Sequence, residues 1–315
     1  MKALFFRTFG GPEVLEFGEV ADPQPSRGHA IVKTTAIGLN FADVYRRRGN
    51  YHLAGAPPYI AGYEAAGTVQ TCGDDAPEWI APGMRVAFAD SPFANAQLVS
   101  VPYAKLIPLP ADIDDETAAA ILLQGLTAQF LSTESYTAHP GDRAVVHAAA
   151  GGVGLALVQL LKANGAHVIS FASSEVKRAA AIAAGADEVH AYEAWPAAAR
   201  GADVVYDSVG TTLKESIETV RTGGSVVFYG FAGGDPPLID PRSLMDGSKT
   251  LAGGDLWNVL TSHERRLSLA GKLFDHVRTG ALRPFIARRF ALADGADAHR
   301  LIESRAAIGK ILLLP

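Results

Sequence analysis

The sequence predicts an α/β protein: a β-rich first third, then a doubly wound parallel sheet inserted before the chain returns to its first part. Three observations carry that expectation. The stretch RAVVHAAAGGVGLALVQLL reads as a buried strand, a turn of Gly and Ala, and an apolar helix. From there β and α patterns alternate to about residue 229, a rhythm that implies right-handed parallel crossovers. Before residue 109 the texture is different, with short alternating runs broken by Pro and Gly.

Each element follows from local chemistry. HAIVKTTAIGL alternates as a strand does. After Gly38, Asn40-Phe41-Ala42-Asp43-Val44-Tyr45 and the arginines behind it predict one or two helical turns, ended by Gly49-Asn50-Tyr51. The segment 58–69 enters a further strand, with Gly placed for close backbone approach. Residues 114–132 are rich in Ala and Leu and predict a helix. A strand over 143–148 leads to the turn Ala149-Ala150-Gly151-Gly152-Val153-Gly154, and the helix behind it stops at Asn164-Gly165. Strands at 167–171, 188–191, 203–207 and 225–229 alternate with helices at 174–184 and after Gly210. Beyond 260, two helices and a strand at 309–314 close the chain. The implied domains are 1–116 plus 262–315, and 117–261.

Composition narrows the function classes. The 315 residues are 48% hydrophobic and 19% charged, ordinary for an enzyme with a large core. Net charge is −5 and no basic stripe exists, so nucleic acid is not an expected partner. The run Arg46-Arg47-Arg48 reads by default as a solvated face. Cys72 is the single cysteine, which excludes an internal disulfide and a four-cysteine zinc lobe. MKALFFRTFGG goes straight into a strand-like run without an apolar leader. Residues 144–161 lack charge, but their internal Gly-Gly favours a buried strand, turn and helix over a membrane span. A cytoplasmic protein with no membrane partner is expected.

The turn has the pattern AxGxxG, with Ala149 where the usual dinucleotide fingerprint has its first Gly. Small residues let the backbone approach a pyrophosphate, and the first N–H groups of the helix point at it. Ala150, Gly151, Gly152, Val153 and Gly154 are the expected contacts. An enzyme using NAD places an acid at the end of the second strand for the ribose hydroxyls. Between Leu155 and Ser174 there is no Asp or Glu; Ser173 and Ser174 stand there, with Lys177 one helical turn on. Lys177 alone would be a solvated helix residue. With the serines and the missing acid it suits the 2′-phosphate of NADPH.

The stretches GLNFADVYRRRGNY, GYEAAGTV, QGLTA, VVHAAAGGVG, GAHVISFASSEVK, VVYDSVG and AHRLIESRAAIGKILLLP, in that order, resemble the medium-chain dehydrogenase/reductase superfamily. Within it the chain resembles the zinc-free quinone oxidoreductases related to zeta-crystallin. The resemblance implies a GroES-like catalytic domain, an inserted Rossmann domain, a cofactor in the cleft between them, and a homodimer. It implies further cofactor contacts from Tyr45, Thr127, Tyr192, Ser208, Gly230, Phe231 and Arg305, with Tyr192 and Arg305 at the phosphate. Thr127 also reads as a helix-interior Thr bonding its own backbone, and Asp43 as an anchor for its turn. The zinc branch reads GHExxG, with that His and a Cys near residue 38 as metal ligands. Here Tyr63 replaces the His and Gly38-Leu39-Asn40 carries no Cys, so no metal is expected. The chain departs from the family's Gly-Ala-Tyr-Ala stretch at Ser91-Pro92-Phe93-Ala94-Asn95-Ala96, and from its usual Ser or Asn at Phe231-Ala232.

Without zinc, hydrogen-bond donors must polarise the substrate carbonyl. A quinone or a conjugated enone suits this, whereas a simple alcohol needs a Lewis acid. Asn40 and Tyr51 are the expected donors. A Tyr at the place of Tyr51 also resembles the proton donor of enoyl reductases, and it reads equally as a surface aromatic. The expected activity is reduction of a quinone or an α,β-unsaturated carbonyl with NADPH. The alternatives are an enoyl thioester or alkenal reductase, and a crystallin-like protein that binds NADPH without turnover.

Overall fold

The alternating run HAIVKTTAIGL forms an eleven-residue strand in the computed structural model, which describes residues 1–51 and 55–315. In chain order the first part contains β1 (Lys2–Phe6), β2 (Glu16–Glu19), the long strand β3 (His29–Leu39), α1 (Phe41–Arg47), β4 (Tyr59–Ile60), β5 (Glu64–Cys72), β6 (Arg85–Phe88), β7 (Leu98–Pro102), β8 (Ile107–Pro108) and α2 (Asp115–Phe130). β1 pairs antiparallel with β2 and β4. β3 pairs antiparallel with both β5 and β7, and the sheet continues from β5 to β6 and β8. Two register shifts in the β3–β5 ladder bend the pair, as bulges do. Val32, Ile37, Leu39, Val69, Val86 and Phe88 point inward and are fully or almost fully buried. Segment 58–69, expected as one strand, is two. Gly62, at φ +94°, turns the chain between β4 and β5, a conformation open to glycine at little steric cost.

The middle of the chain carries β9 (Arg143–Val146), α3 (Gly152–Ala163), β10 (His167–Phe171), α4 (Glu175–Ala183), β11 (Glu188–His190), β12 (Ala202–Asp207), α5 (Leu213–Thr219), β13 (Val220–Phe228), α6 (Arg242–Asp246) and β14 (Thr250–Gly253). Its six strands are all parallel, in the order β11-β10-β9-β12-β13-β14. The order reverses between β9 and β12, and an open α/β sheet binds its ligand where that reversal occurs. Val145, Ile169, Val205 and Val226 form the buried layer of one face with Leu213 and Ile217. β9 is two residues shorter than expected because His147 and Ala148 already belong to the turn.

The last part contains α7 (His263–Arg278), β15 (Ile286–Ala291), α8 (Gly295–Glu303) and β16 (Lys310–Leu314). β16 enters the larger sheet antiparallel to β3, and β15 runs parallel to β16 at its edge. The chain thus forms two compact units, Met1–Leu123 with Leu260–Phe274 and Pro284–Pro315, and Gln124–Val259 with Asp275–Arg283.

Candidate active site

In the second unit, β9 ends at Val146 and five residues, 147–151, reverse the chain into α3. Ala148 holds φ +46° and Gly151 caps the helix with extended backbone. The first rung closing on the cap is Leu155 N–H onto Gly151 O, so the N–H groups of Gly152, Val153 and Gly154 lie ahead of it. A Cβ on Gly154 would come within 2.5 Å of Ala148 O and 2.8 Å of Ala149 Cα, and one on Gly152 would collide with the Gln124 amide. Backbone thus forbids a side chain at Gly154, whereas at Gly152 the flexible end of Gln124 would have to move aside.

A buried network supports this turn. The Ala148 N–H donates to the Tyr192 hydroxyl at 3.0 Å, and the Tyr192 ring stacks on His147 with centroids 5.7 Å apart. His147 Nε2 lies 3.4 Å from Ser216 Oγ, which donates to Asp207 at 2.7 Å. Asp207 also accepts from the backbone of Val209 and Gly210 and from Thr212 Oγ1. Burial pushes the His147 pKa down to about 4, so the imidazole is neutral at pH 7. Burial likewise raises Tyr192 to about 12. Tyr192, expected at a 2′-phosphate, thus has its hydroxyl engaged by the turn. The hydroxyl oxygen thereby helps to hold Ala148 in place.

At the end of β10, Ser173 and Ser174 are exposed. Ser174 Oγ caps α4 by accepting the Lys177 N–H, and Lys177 Nζ donates to Ser173 Oγ at 3.2 Å. Two hydroxyls and an ammonium meet there. Glu175 opens α4 and stands in its first turn, where it complements the helix dipole. Across the sheet, Ala232 N–H donates to Ser208 O and Gly233 N–H to Val209 O. These bonds lace the loop with Gly230 and Phe231 to the one after β12. Thr127 stands half-buried in α2, in the same unit.

In the first unit, an ion pair sits at the start of α1. Lys310 Nζ donates to Glu64 Oε2 at 2.5 Å and to Asn40 Oδ1 at 2.7 Å, with Lys310 and Glu64 1% and 0% exposed. Asn40 Nδ2 donates to Glu64 Oε2 and to Gly38 O, and Glu64 Oε1 accepts the Leu123 N–H. A Cβ on Gly38 would collide with the Ala119 carbonyl, Glu64 and Lys310. Asn40 also forms a capping box with Asp43, whose Oδ2 accepts the Asn40 N–H at 2.7 Å. Burial raises Asp43 to about 7. Asn40, expected to donate to a substrate carbonyl, has both amide hydrogens committed inside the protein. Those hydrogens and the capping box tie Asn40 to the start of α1.

The next turn of α1 builds an aromatic wall. Tyr45 packs against Phe41 and edge-on against Tyr51, each with centroids 6.0 Å apart. Tyr51 in turn meets Tyr63 edge-on at 6.2 Å. Arg46 is fully buried, so the reading of the arginine run as a solvated face fails. Arg47 is buried as well, on Glu303 at 2.8 Å, and only Arg48 is exposed. Arg305, also in this unit, follows α8 in the left-handed region at φ +58°.

Residues 26–111 match the alcohol dehydrogenase GroES-like domain, and residues 152–269 match the zinc-binding dehydrogenase domain. A probable quinone oxidoreductase of Schizosaccharomyces pombe is 38% identical over 313 residues, covering 97% of this chain and 94% of that protein. The chain belongs to the quinone oxidoreductase family of the medium-chain dehydrogenase/reductases. A 2-haloacrylate reductase of a Burkholderia species is 35% identical, covering 97% and 96%. The Escherichia coli quinone oxidoreductase, solved with NADPH, superposes with a TM-score of 0.94 at 33% identity over 100% of both chains.

The residues of this family member fit a dinucleotide, given the glycine turn, the bare helix N-terminus and the hydroxyl–ammonium group at the end of β10. They do not fit zinc. Asn40 is committed to Lys310 and Glu64, Tyr63 faces Arg46, and among the described residues no three His, Cys, Asp or Glu side chains converge. Sequence reasoning missed Lys310 and Glu64, although a lysine heading the apolar run KILLL is a signal of a buried partner. It also missed Gln124, which lies against Gly152.

Proposed function

We propose that the chain reduces quinones and α,β-unsaturated carbonyls with NADPH, without zinc. The observation that carries this reading is the pairing of the glycine turn with Ser173, Ser174 and Lys177. When bound, NADPH supplies a hydride, and the acceptor gains a proton from the protein or solvent. The first-turn N–H groups of α3 meet the pyrophosphate charge. Lys177 and the two serines hold the 2′-phosphate. Thr127 orients the carboxamide, and Ser208, Gly230 and Phe231 line the remaining cofactor surface. Tyr51 is the phenol that hydrogen-bonds the acceptor oxygen as negative charge develops on it. With Asn40 committed internally, Tyr51 is the remaining donor of the two expected from sequence. Quinones and enones fit because their negative charge spreads on reduction, which a hydrogen bond can meet without a metal.

The 2-haloacrylate reductase among the relatives favours conjugated carboxylates as a second acceptor class. We place the protein in the cytoplasm as a homodimer; among the described residues no helix is long and apolar enough to cross a membrane. The deciding experiment is an NADPH-oxidation screen over quinones, enones, haloacrylates and enoyl thioesters, with NADH in parallel. Turnover of quinones and enones with NADPH preferred supports the reading. Tight NADPH binding with no oxidation by any acceptor overturns it in favour of a binding protein, and thioesters as the only substrates overturn it in favour of an enoyl reductase.

A further inference from the structure

Three places where the sequence departs from simple expectation meet in one cluster. They are the arginine run at Arg46, Tyr63 in the place of a histidine, and the stretch that carries Phe93. The Arg46 guanidinium carbon lies 5.4 Å from the Tyr63 ring centroid and 5.2 Å from the Phe93 centroid, so two aromatic rings hold one cation. Arg46 is 0% exposed and Tyr63 only 3%. Phe93 adopts φ +73°, a strained conformation for a residue with a side chain. Such strain persists where the surroundings over-determine it, and a desolvated cation–π contact is a strong enough reason. Arg46 Nη1 reaches the Tyr63 hydroxyl oxygen at 3.5 Å, and Tyr63 meets Tyr51 edge-on.

We propose that Arg46 is a positioning residue for acceptor reduction: clamped between Tyr63 and Phe93, its guanidinium fixes Tyr63 against Tyr51 and sets a positive charge behind that phenol pair. The proposal rests on the reading of Tyr51 as the acceptor's hydrogen-bond donor. A guanidinium suits the role because it stays charged when buried and stacks on aromatic faces, which a lysine does less well. Behind a phenol, a fixed cation favours the hydrogen-bonded state in which negative charge sits on the acceptor oxygen. It does so without touching acceptor or cofactor. The charge matters most for an enone, whose enolate oxygen keeps the charge until a proton arrives, and less for a quinone.

The test uses the full-length protein with Arg46→Met, Arg46→Lys, Tyr63→Phe and the double variant Arg46→Met/Tyr63→Phe. Enone and quinone turnover are measured beside NADPH affinity by fluorescence titration. Arg46→Met should lower the enone kcat about tenfold with KM and the NADPH dissociation constant within about twofold, and the quinone kcat by less. Arg46→Lys should restore the enone rate to within about threefold of wild type. Tyr63→Phe, which keeps the ring, should lose a similar factor, and the double variant should lose little more, as expected of two groups in one device. Wild-type enone rates in folded Arg46→Met and Tyr63→Phe would overturn the proposal. So would losses that simply multiply, or an NADPH affinity that falls in parallel. If Arg46→Met does not fold, Tyr63→Phe and Arg46→Lys decide: a wild-type rate in the first, or a loss of tenfold or more in the second with NADPH affinity reduced to match, overturns it. If Tyr51→Phe itself leaves enone turnover unchanged, the donor reading beneath the proposal fails. An effective Tyr51→Phe beside silent Arg46 and Tyr63 variants sinks the Arg46 inference alone.

Discussion

Replacing Lys310 with Met removes the ammonium from a buried pair and keeps most of the side-chain volume. Glu64 then remains at 0% exposure, still accepting from Asn40 Nδ2 at 2.9 Å and from the Leu123 N–H at 2.7 Å. Asn40 Oδ1 loses its donor. Breaking a buried ion pair by deleting one partner costs about 3–5 kcal/mol, because the survivor is an uncompensated buried charge. The two remaining hydrogen bonds to Glu64 place this case toward the lower end, at about 3 kcal/mol. Adding Glu64→Leu removes the orphaned carboxylate as well, and apolar replacements of whole ion pairs are often neutral. The double variant should therefore recover a large part of the loss. Urea unfolding followed through Trp79, which lies in the same unit, reads the difference. A loss below about 1 kcal/mol in Lys310→Met, or a double variant worse than the single, would refute the assignment of this pair as a high-stakes buried charge.

Four further outcomes are expected. Lys177→Ala should raise the Michaelis constant for NADPH about tenfold and leave that for NADH nearly unchanged, since the lost charge-assisted contact is worth about 1.5 kcal/mol at this half-buried position; equal losses with both cofactors would disprove the phosphate site. Elemental analysis should find zinc far below one equivalent, with turnover insensitive to chelators, because the donors at Asn40 and Tyr63 are already committed. Burial pushes His299 down to about 3 from 6.5, so between those values the unfolded chain binds more protons and stability falls as pH falls; His299→Leu should flatten the loss measured between pH 6.5 and 4.5, and an unchanged slope would show the imidazole is not the cause. Tyr51→Phe should cut enone kcat by about a hundredfold with binding little changed, and near-wild-type rates on both acceptor classes would reduce Tyr51 to wall.

The fold class was legible because hydrophobic periodicity is a local property of the chain. β10 begins and ends where its apolar run does, and β3 coincides with HAIVKTTAIGL. β14 and β15 were not legible. β14 is four residues at a sheet edge, and β15 reads IARRFA with its charged residues exposed, so neither carries a clear apolar alternation. The glycine turn could be read from composition alone, since only small residues allow backbone approach. The direction of an amide could not. Nothing in GLNFAD says that the Asn40 hydrogens face Gly38 and Glu64, because Lys310 comes from a strand 270 residues further on. The arginine run failed for the same reason: partners at Tyr63, Phe93 and Glu303 are distant in sequence and decide which arginines are buried.

The buried pair also bears on which reactions the first unit can support. A Lewis acid lowers the barrier for an alcohol by stabilising its alkoxide, which demands ligands that hold a dication. Here Glu64 is paired with Lys310, and the amide of Asn40 spans the two, so this buried cluster is electrically satisfied by the chain's own groups. Inserting a dication beside the ammonium would add like-charge repulsion in a low-dielectric setting and would strip Asn40 of both partners. The same pair gives α1 a fixed start, through the Asn40–Asp43 capping box, and so sets the register of Tyr45 and Arg46 one turn later. With Tyr51 read as the donor, such a unit would offer an acceptor a hydrogen bond and aromatic surface, with no strong electrophile among its described residues. Quinones and enones need no more than that, because their own conjugation takes up the charge that a metal would otherwise have to hold.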